Sequence, residues 1–349
     1  MEHIRNLVFE GGGVKGIAYY GALKVLEEKG IFKNCLRFAG TSAGSINAWL
    51  CTYFKDDIGW IEEIQRMTDF SDFADDDWGI IRDSGRLINK YGWHKGDSFY
   101  AWAQEITRKR FGQDHISFQE LYDQTGNDLI VVGCNVSKGR TVRFSKDTTP
   151  DFFVERAIRI SMSIPVYFRG IFIPDKAVDR AGNDIGNPGI DKEIDKDRDI
   201  FVDGGVLDNY PIQTFDTDPY ILSPVAGEII EEIPGRTPQA YNKSTLGFRV
   251  DSQVELSIGN INKDTDQFKA ENFFKYLLGL ADLLHQTSNK RHLDDYDWHR
   301  TVRINTLDIS ATDFNLKKPV QDLLIEKGEE ALRAYLSSYN SGWLNYVES

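Results

Sequence analysis

The chain predicts an α/β fold, a three-layer α/β/α arrangement around a mainly parallel sheet. Two observations carry that class. Residues 4–9 form a short apolar run that ends in Gly11-Gly12-Gly13, and a helical stretch follows over about 14–29. A second apolar run, about 36–39, then leads into Gly40-Thr41-Ser42-Ala43-Gly44 and a stretch with Ile46, Trp49, Leu50 and Tyr53 at helical spacing. Strand, helix, strand, helix within so short a span is the pattern of a parallel sheet with crossover helices.

Each element has a local reason. The first helix stops at Gly30, which tolerates the left-handed conformation that closes a helix. Strands are expected around 129–134 and 141–144, and a helix over 153–161 that must end by Pro165. Ile200-Phe201-Val202 reads as a short buried strand ending at Asp203-Gly204-Gly205. Residues 69–98, rich in Asp and Gly, read as a surface excursion or lid, and 172–199 as an exposed polar insertion. The expected organisation is a catalytic-type domain over 1–215 and a helical extension over 216–349 packed on it. Within that extension, 268–286 carries Phe273, Leu277, Leu280 and Leu284 on one face, and 320–346 is again helical.

Composition narrows the function. A hydrophobic content of 41% suits a folded globular protein, and a net charge of −13 repels phosphate backbones, so nucleic acid is not an expected partner. The same charge disfavours broad adsorption to anionic membrane, although a local patch allows transient surface contact. Cys35, Cys51 and Cys134 are too scattered for a disulfide framework or a metal site, and neither a metal nor a cofactor is expected. The N-terminus has no apolar signal core, and the run 273–284 is broken by Lys275 and Asp282. A cytoplasmic location is expected, with signal-less export compatible.

Three motifs carry chemistry. Gly11, Gly13 and Gly16 match the dinucleotide spacing G-x-G-x-x-G, which leaves a non-catalytic nucleotide module as one reading. Against it, the second strand runs into Thr41-Ser42 without the acidic residue a ribose requires. Gly12 also makes three glycines in a row, exposing adjacent amides that can hold a developing anion, with Val14 and the cationic Lys15 beside them. Ser42 lies in G-x-S-x-G, where Gly40 and Gly44 let a strand and a helix approach around a sharp turn, and the helix directs its positive end at the hydroxyl. A serine needs a proton acceptor. His285, His292 and His299 leave a histidine-containing triad open, as in an α/β-hydrolase esterase. Asp203 instead ends a hydrophobic strand beside Gly204 and Gly205, where strand ends of a parallel sheet share one edge with Ser42.

Taken together, 10–16 (Glu-Gly-Gly-Gly-Val-Lys-Gly), 40–44, 203–205 and the block Ser161-Met162-Ser163-Ile164-Pro165 resemble, in order and spacing, the patatin-like phospholipases. The resemblance covers about 4–215. It implies a Ser42–Asp203 dyad in place of a triad, an oxyanion hole from Gly11, Gly12 and Gly13, and a phospholipid or other acyl-ester lipid substrate. The activity implied is that of a phospholipase A or lysophospholipase. Glu10 stands where many members have Asp, and the polar insertion before Ile200 is longer than the family pattern. An activating partner acting through 69–98 or the C-terminal helices is a further expectation.

Overall fold

The computed structural model describes residues 1–68, 92–94, 96–174, 198–252, 256, 293–307, 309–311, 313 and 316–341. The expectations for most of 69–98 and 172–199, and for all of 268–286, therefore lie outside the described residues.

The strands, in chain order, are β1 (Asn6–Phe9), β2 (Arg37–Thr41), β3 (Gly92–His94), β4 (Asp128–Asn135), β5 (Arg140–Phe144) and β6 (Val166–Phe168). They continue with β7 (Ile171–Pro174), β8 (Arg198–Asp203), β9 (Ile230–Glu232), β10 (Ala240–Asn242), β11 (Thr245–Asp251) and β12 (Thr301–Asn305). Helices are α1 (Ala18–Glu28), α2 (Ala43–Tyr53), α3 (Gly59–Met67), α4 (Asp97–Phe111), α5 (Phe118–Thr125), α6 (Val154–Ser161), α7 (Asp295–His299) and α8 (Lys318–Ser341).

The central sheet runs β12-β11-β1-β2-β4-β8-β7, with β5 also on β4. From β12 to β4 every pairing is parallel. β5 and β8 are antiparallel to β4, and β7 is antiparallel to β8. The result is a mixed, mostly parallel sheet flanked by helices, the class the sequence predicts. Side chains alternate across it, as strand geometry requires. Leu7, Phe9, Phe38, Leu129, Val131, Leu246 and Phe248 join the large core under α1, α2, α6 and α8. Val8, Ala39 and Ile130 point to the other face, covered by Tyr210, Ile212, Phe215 and Tyr220.

The C-terminal region corrects the expected division at 215. It is not a helical extension: it supplies β11 and β12, and residues 245–248 of β11 pair directly with all of β1. The boundary would cut through the middle of one sheet. α8 then returns to lie on α1 at backbone contact. A Cβ on Gly21 would sit 1.8 Å from Ile325 O, and one on Gly328 would sit 1.9 Å from Ala18 O. Lys24–Glu329 and Arg333–Glu28 ion pairs flank that contact.

Buried charge locks the second face in place. Asp216, fully buried, receives Arg300 and Arg236, and both arginines also reach Asp297. Among the described residues, no helix is long and apolar enough to cross a membrane.

Candidate functional site

The elbow forms where β2 meets α2. Ser42 has φ 53° and ψ −128°, a left-handed conformation that costs a non-glycine residue energy and persists only when its surroundings enforce it. Two glycines permit it. A Cβ on Gly40 would lie 2.2 Å from Gly44 O, and one on Gly44 would lie 2.2 Å from Phe9 O. Strand, turn, helix and β1 thus touch through backbone alone. Ser42 stands at the N-cap of α2, yet its side chain makes no capping bond. Its Oγ lies 3.8 Å from Met162 Sδ, a weak acceptor that leaves the hydroxyl available.

Asp203 reaches this point by a route the sequence reading did not foresee. β2 and β5 both pair with Val131 and Val132 of β4, so they occupy opposite edges of it. β5 and β8 both pair with 133–135, so β8 lies on the β2 edge. β2 and β8 therefore run toward each other along one edge of β4 and end head to head. Thr41 is opposite Val132, and Asp203 is opposite Gly133, the next residue. The expectation of a shared parallel strand end is corrected here, because β8 is antiparallel. Convergence, rather than a shared parallel end, sets β2 and β8 at adjacent positions of β4.

Asp203 is fully buried, and its Oδ1 accepts from Gly205 N at 2.7 Å. Gly204 sits tight against β4, where a Cβ would lie 2.5 Å from Val132 O. Burial, helped by the neighbouring Asp203 charge, pushes the Cys134 thiol up to about 11. Ser42 itself is only 2% exposed, so the junction is closed to solvent in this conformation.

Three consecutive residues, the last of α6 and the two that follow it, hold both sides of the junction. Ser161 Oγ accepts from Ser42 N at 2.8 Å and donates to Val132 O at 2.6 Å. Met162 meets the Ser42 hydroxyl, and Ser163 O accepts from Asp203 N at 2.9 Å. The sequence marked this block only through resemblance and assigned it no contact.

The glycine loop lies against the elbow. A Cβ on Gly11 would be 3.1 Å from Ser42 Cβ. Gly11 N, however, donates to Asn209 O at 2.9 Å, and Gly11 O accepts from Asn209 Nδ2 at 3.0 Å. The Gly11 amide is thereby committed. Val14 N is likewise taken, by Ala311 O at 3.1 Å. Gly12, at the N-cap, and Gly13, with φ +56°, stand at the start of a 3₁₀ turn (Gly13–Ile17), where backbone amides lack intrahelical partners. Gly16 serves packing: its carbonyl accepts from Asn47 Nδ2 of α2 at 3.3 Å. Lys15 Nζ reaches Val250 O at 3.4 Å, tethering the loop to β11. Asn209 was not singled out from the sequence. The only signal for it is a polar residue six positions after Asp203, just before Tyr210-Pro211.

Behind the loop, Glu10 is buried with Oε2 accepting from Val250 N at 2.9 Å and with Arg249 3.6 Å away. Burial raises its carboxyl to about 7, with Arg249 opposing and Asp251 adding to the rise. Tyr19 donates to Glu10 O at 2.7 Å.

The histidines take other places. His115 stacks on Phe153. His299 precedes β12 at the N-terminal end of the parallel strands, the end opposite Ser42. His285 and His292 lie outside the described residues. An apolar groove of about 460 Å³ between α3 and α4, lined by Trp60, Met67 and Trp102, opens at Phe54, beyond the far end of α2 from Ser42.

A strained serine at the meeting of two strand ends, on a mostly parallel sheet, is the architecture of an α/β acyl hydrolase. The comparisons make the class specific: residues 7–216 match the family model described as Patatin-like phospholipase, and the chain belongs to that family of lipid acyl hydrolases. It is 26% identical over 348 residues to uncharacterized protein R571 of Acanthamoeba polyphaga mimivirus, across 95% of this chain and 93% of that protein. It is also 26% identical over 348 residues to YqhO of Bacillus subtilis (strain 168), across 95% and 98%. Probable lipid hydrolase 463L of Invertebrate iridescent virus 6 is 27% identical over 215 residues, 60% of this chain and 63% of that protein. Among solved structures, VipD from Legionella pneumophila shares the fold, with a TM-score of 0.53 at 16% identity, covering 96% of this chain and 67% of that one.

Proposed function

We propose that the chain hydrolyses acyl esters of phospholipids or lysophospholipids through a Ser42–Asp203 dyad. The observation that carries the reading is the convergence of β2 and β8, which ends β2 one residue before Ser42 and β8 at Asp203 itself. In this reading Asp203 accepts the Ser42 proton as Oγ attacks the ester carbonyl. The tetrahedral oxyanion is held by the amides of Gly12 and Gly13, while Gly11 fixes the loop. Collapse expels the alcohol, which takes the proton from Asp203 and leaves an acyl-serine. Water, deprotonated by Asp203, then attacks the acyl carbon; the fatty acid leaves and Ser42 recovers its proton. A carboxylate is a weak base toward a hydroxyl, so desolvation of Asp203 and the amide donors must carry much of the rate.

The buried Ser42 supports a second element of the reading: the junction opens on meeting a lipid surface or an activating partner. A cytoplasmic protein working at membrane surfaces fits this chemistry.

The test is labelling with a fluorophosphonate probe in the presence of phospholipid vesicles, comparing wild type, Ser42→Ala and Asp203→Asn, followed by a phospholipid and lysophospholipid panel. Labelling and hydrolysis should vanish in Ser42→Ala and fall by orders of magnitude in Asp203→Asn. Full hydrolysis by Ser42→Ala overturns the reading.

A further inference from the structure

We propose that Asn209 is a positioning residue that aims the Gly12 amide at the oxyanion, an inference that rests on the acyl-transfer reading of Ser42. The argument starts from peptide geometry. The carbonyl of Gly11 and the N–H of Gly12 belong to one planar trans peptide and point in opposite directions. Whatever holds Gly11 O therefore sets where the Gly12 N–H points.

Asn209 Nδ2 holds that oxygen, donating to it at 3.0 Å. The preceding peptide is pinned twice, by Tyr19 hydroxyl on Glu10 O and by Asn209 O on Gly11 N. The Gly11–Gly12 plane has glycine on both sides, and glycine places the weakest conformational restriction on a peptide. Without the Asn209 side chain, that plane is the free joint in an otherwise fixed loop.

Two further observations fit a positioning role. Asn209 is 4% exposed, and its Oδ1 is buried without a hydrogen-bond partner among the described residues. Burying an unsatisfied acceptor works against stability, so what the side chain contributes here comes from its donor. The residue also closes the segment that begins at Asp203. Asp208 N donates to Gly204 O at 2.9 Å, and Thr41 Oγ1 donates to Asp208 O at 2.8 Å. One short turn thus couples the proton acceptor, the end of β2 and the glycine loop.

The experiment compares wild type, Asn209→Leu, Asn209→Asp and Ser42→Ala in hydrolysis of a soluble p-nitrophenyl ester and in inhibition by a trifluoromethyl ketone, whose adduct with serine carries an oxyanion. Asn209→Leu should lose about 10²- to 10³-fold in kcat, the scale of one oxyanion donor, with KM within about twofold and ketone affinity falling in parallel. Asn209→Asp supplies a readout internal to one folded protein. Ionised, it offers Gly11 O only acceptors; protonated, it donates again. Its activity relative to wild type should rise as pH falls from 8 to 5. Folded Asn209→Leu with wild-type kcat, a kcat loss with unchanged ketone affinity, or a pH-independent Asn209→Asp ratio each overturns the proposal. If Ser42→Ala is inactive while the Asn209 variants match wild type, this inference alone falls. If Ser42→Ala retains activity, the underlying reading falls instead.

Discussion

Ser42 N–H donates to Ser161 Oγ at 2.8 Å, and the same hydroxyl donates to Val132 O at 2.6 Å, so the elbow is bolted to β4 through one side chain. Ser161 is fully buried. Ser161→Ala leaves the Ser42 amide and the Val132 carbonyl unsatisfied, a cost of about 1–3 kcal/mol for each buried group. The strained φ of Ser42 then loses a restraint. The variant should melt lower and should react with fluorophosphonate at least about tenfold more slowly than wild type. Thermal melting and labelling rates check both, and an unchanged labelling rate would show that the elbow holds without Ser161.

How far the sequence carried this picture depends on whether a feature is local. The elbow was legible because Gly40, Ser42 and Gly44 are spaced for one turn, and the structure finds backbone contact at both glycines. Asp203-Gly204-Gly205 was legible as a strand end, but the direction of β8 was not, because pairing partners are set by residues far along the chain. β11 was missed for a physical reason. Arg249 and Asp251 break its apolar run, and only the fold pairs them with one another and with Glu10 or Arg303 while keeping them buried. Asn209 has no period, spacing or composition to announce it. Its role exists only through a contact with a residue 198 positions away.

The elbow glycines should separate sharply from ordinary turn glycines. Gly44→Ala drives a Cβ to 2.2 Å from Phe9 O and 2.6 Å from Glu10 O, and backbone at such distances yields only by moving α2 off β1. A loss on the order of 3 kcal/mol or more is expected, together with activity. Gly126 closes α5 at φ +68° with nothing within 4 Å of an added Cβ, so Gly126→Ala should cost only about 1–2 kcal/mol and leave turnover intact. Urea unfolding of the two variants side by side measures the contrast; similar midpoints would contradict it.

Glu10 gives stability a definite pH slope. In the folded chain burial holds its proton up to about 7, whereas the ordinary value is 4.5. Between those values the folded state binds more protons than the unfolded one, so this group's contribution is largest at low pH and declines as pH rises to about 7. Glu10→Gln removes the titration while keeping an acceptor for Val250 N. Relative to wild type, the variant should gain stability between pH 5 and 7 and then hold a constant difference. Denaturant midpoints at half-unit steps test this, and parallel curves throughout would contradict it.

Arg300 should behave as the keystone of the buried charges. It bonds Asp216 and Asp297, both fully buried, and lies over Tyr241 with its guanidinium 4.6 Å from the ring centroid. Arg300→Met leaves Asp216 and Asp297 to share Arg236 with Asp294, and removing one partner from a buried ionic cluster costs about 3–5 kcal/mol. Arg300→Lys keeps charge but not the forked geometry and should recover only part of the loss. A chemical-denaturation series on the pair checks the order; equal stability of the Met and Lys variants would show that charge without the forked geometry recovers nothing, against this expectation.

The stretch that matches the family model should not fold by itself. Ending the chain at 216 removes β11, the partner of every residue of β1, and so exposes an unpaired edge at the centre of the sheet. It also removes Val250, which satisfies Glu10 and Lys15, and Ala311, whose carbonyl holds Val14 N beside the glycine loop. α1 loses α8, which it meets at backbone contact through Gly21 and Gly328. Each loss falls on the layer that carries Ser42, so aggregation and loss of fluorophosphonate labelling are expected together. A chain ending at 341 retains all of these contacts and should label at the wild-type rate. Soluble yield, circular dichroism and labelling of the two truncations test the claim directly, and a soluble, labelled 1–216 fragment would restore the boundary that the sheet denies.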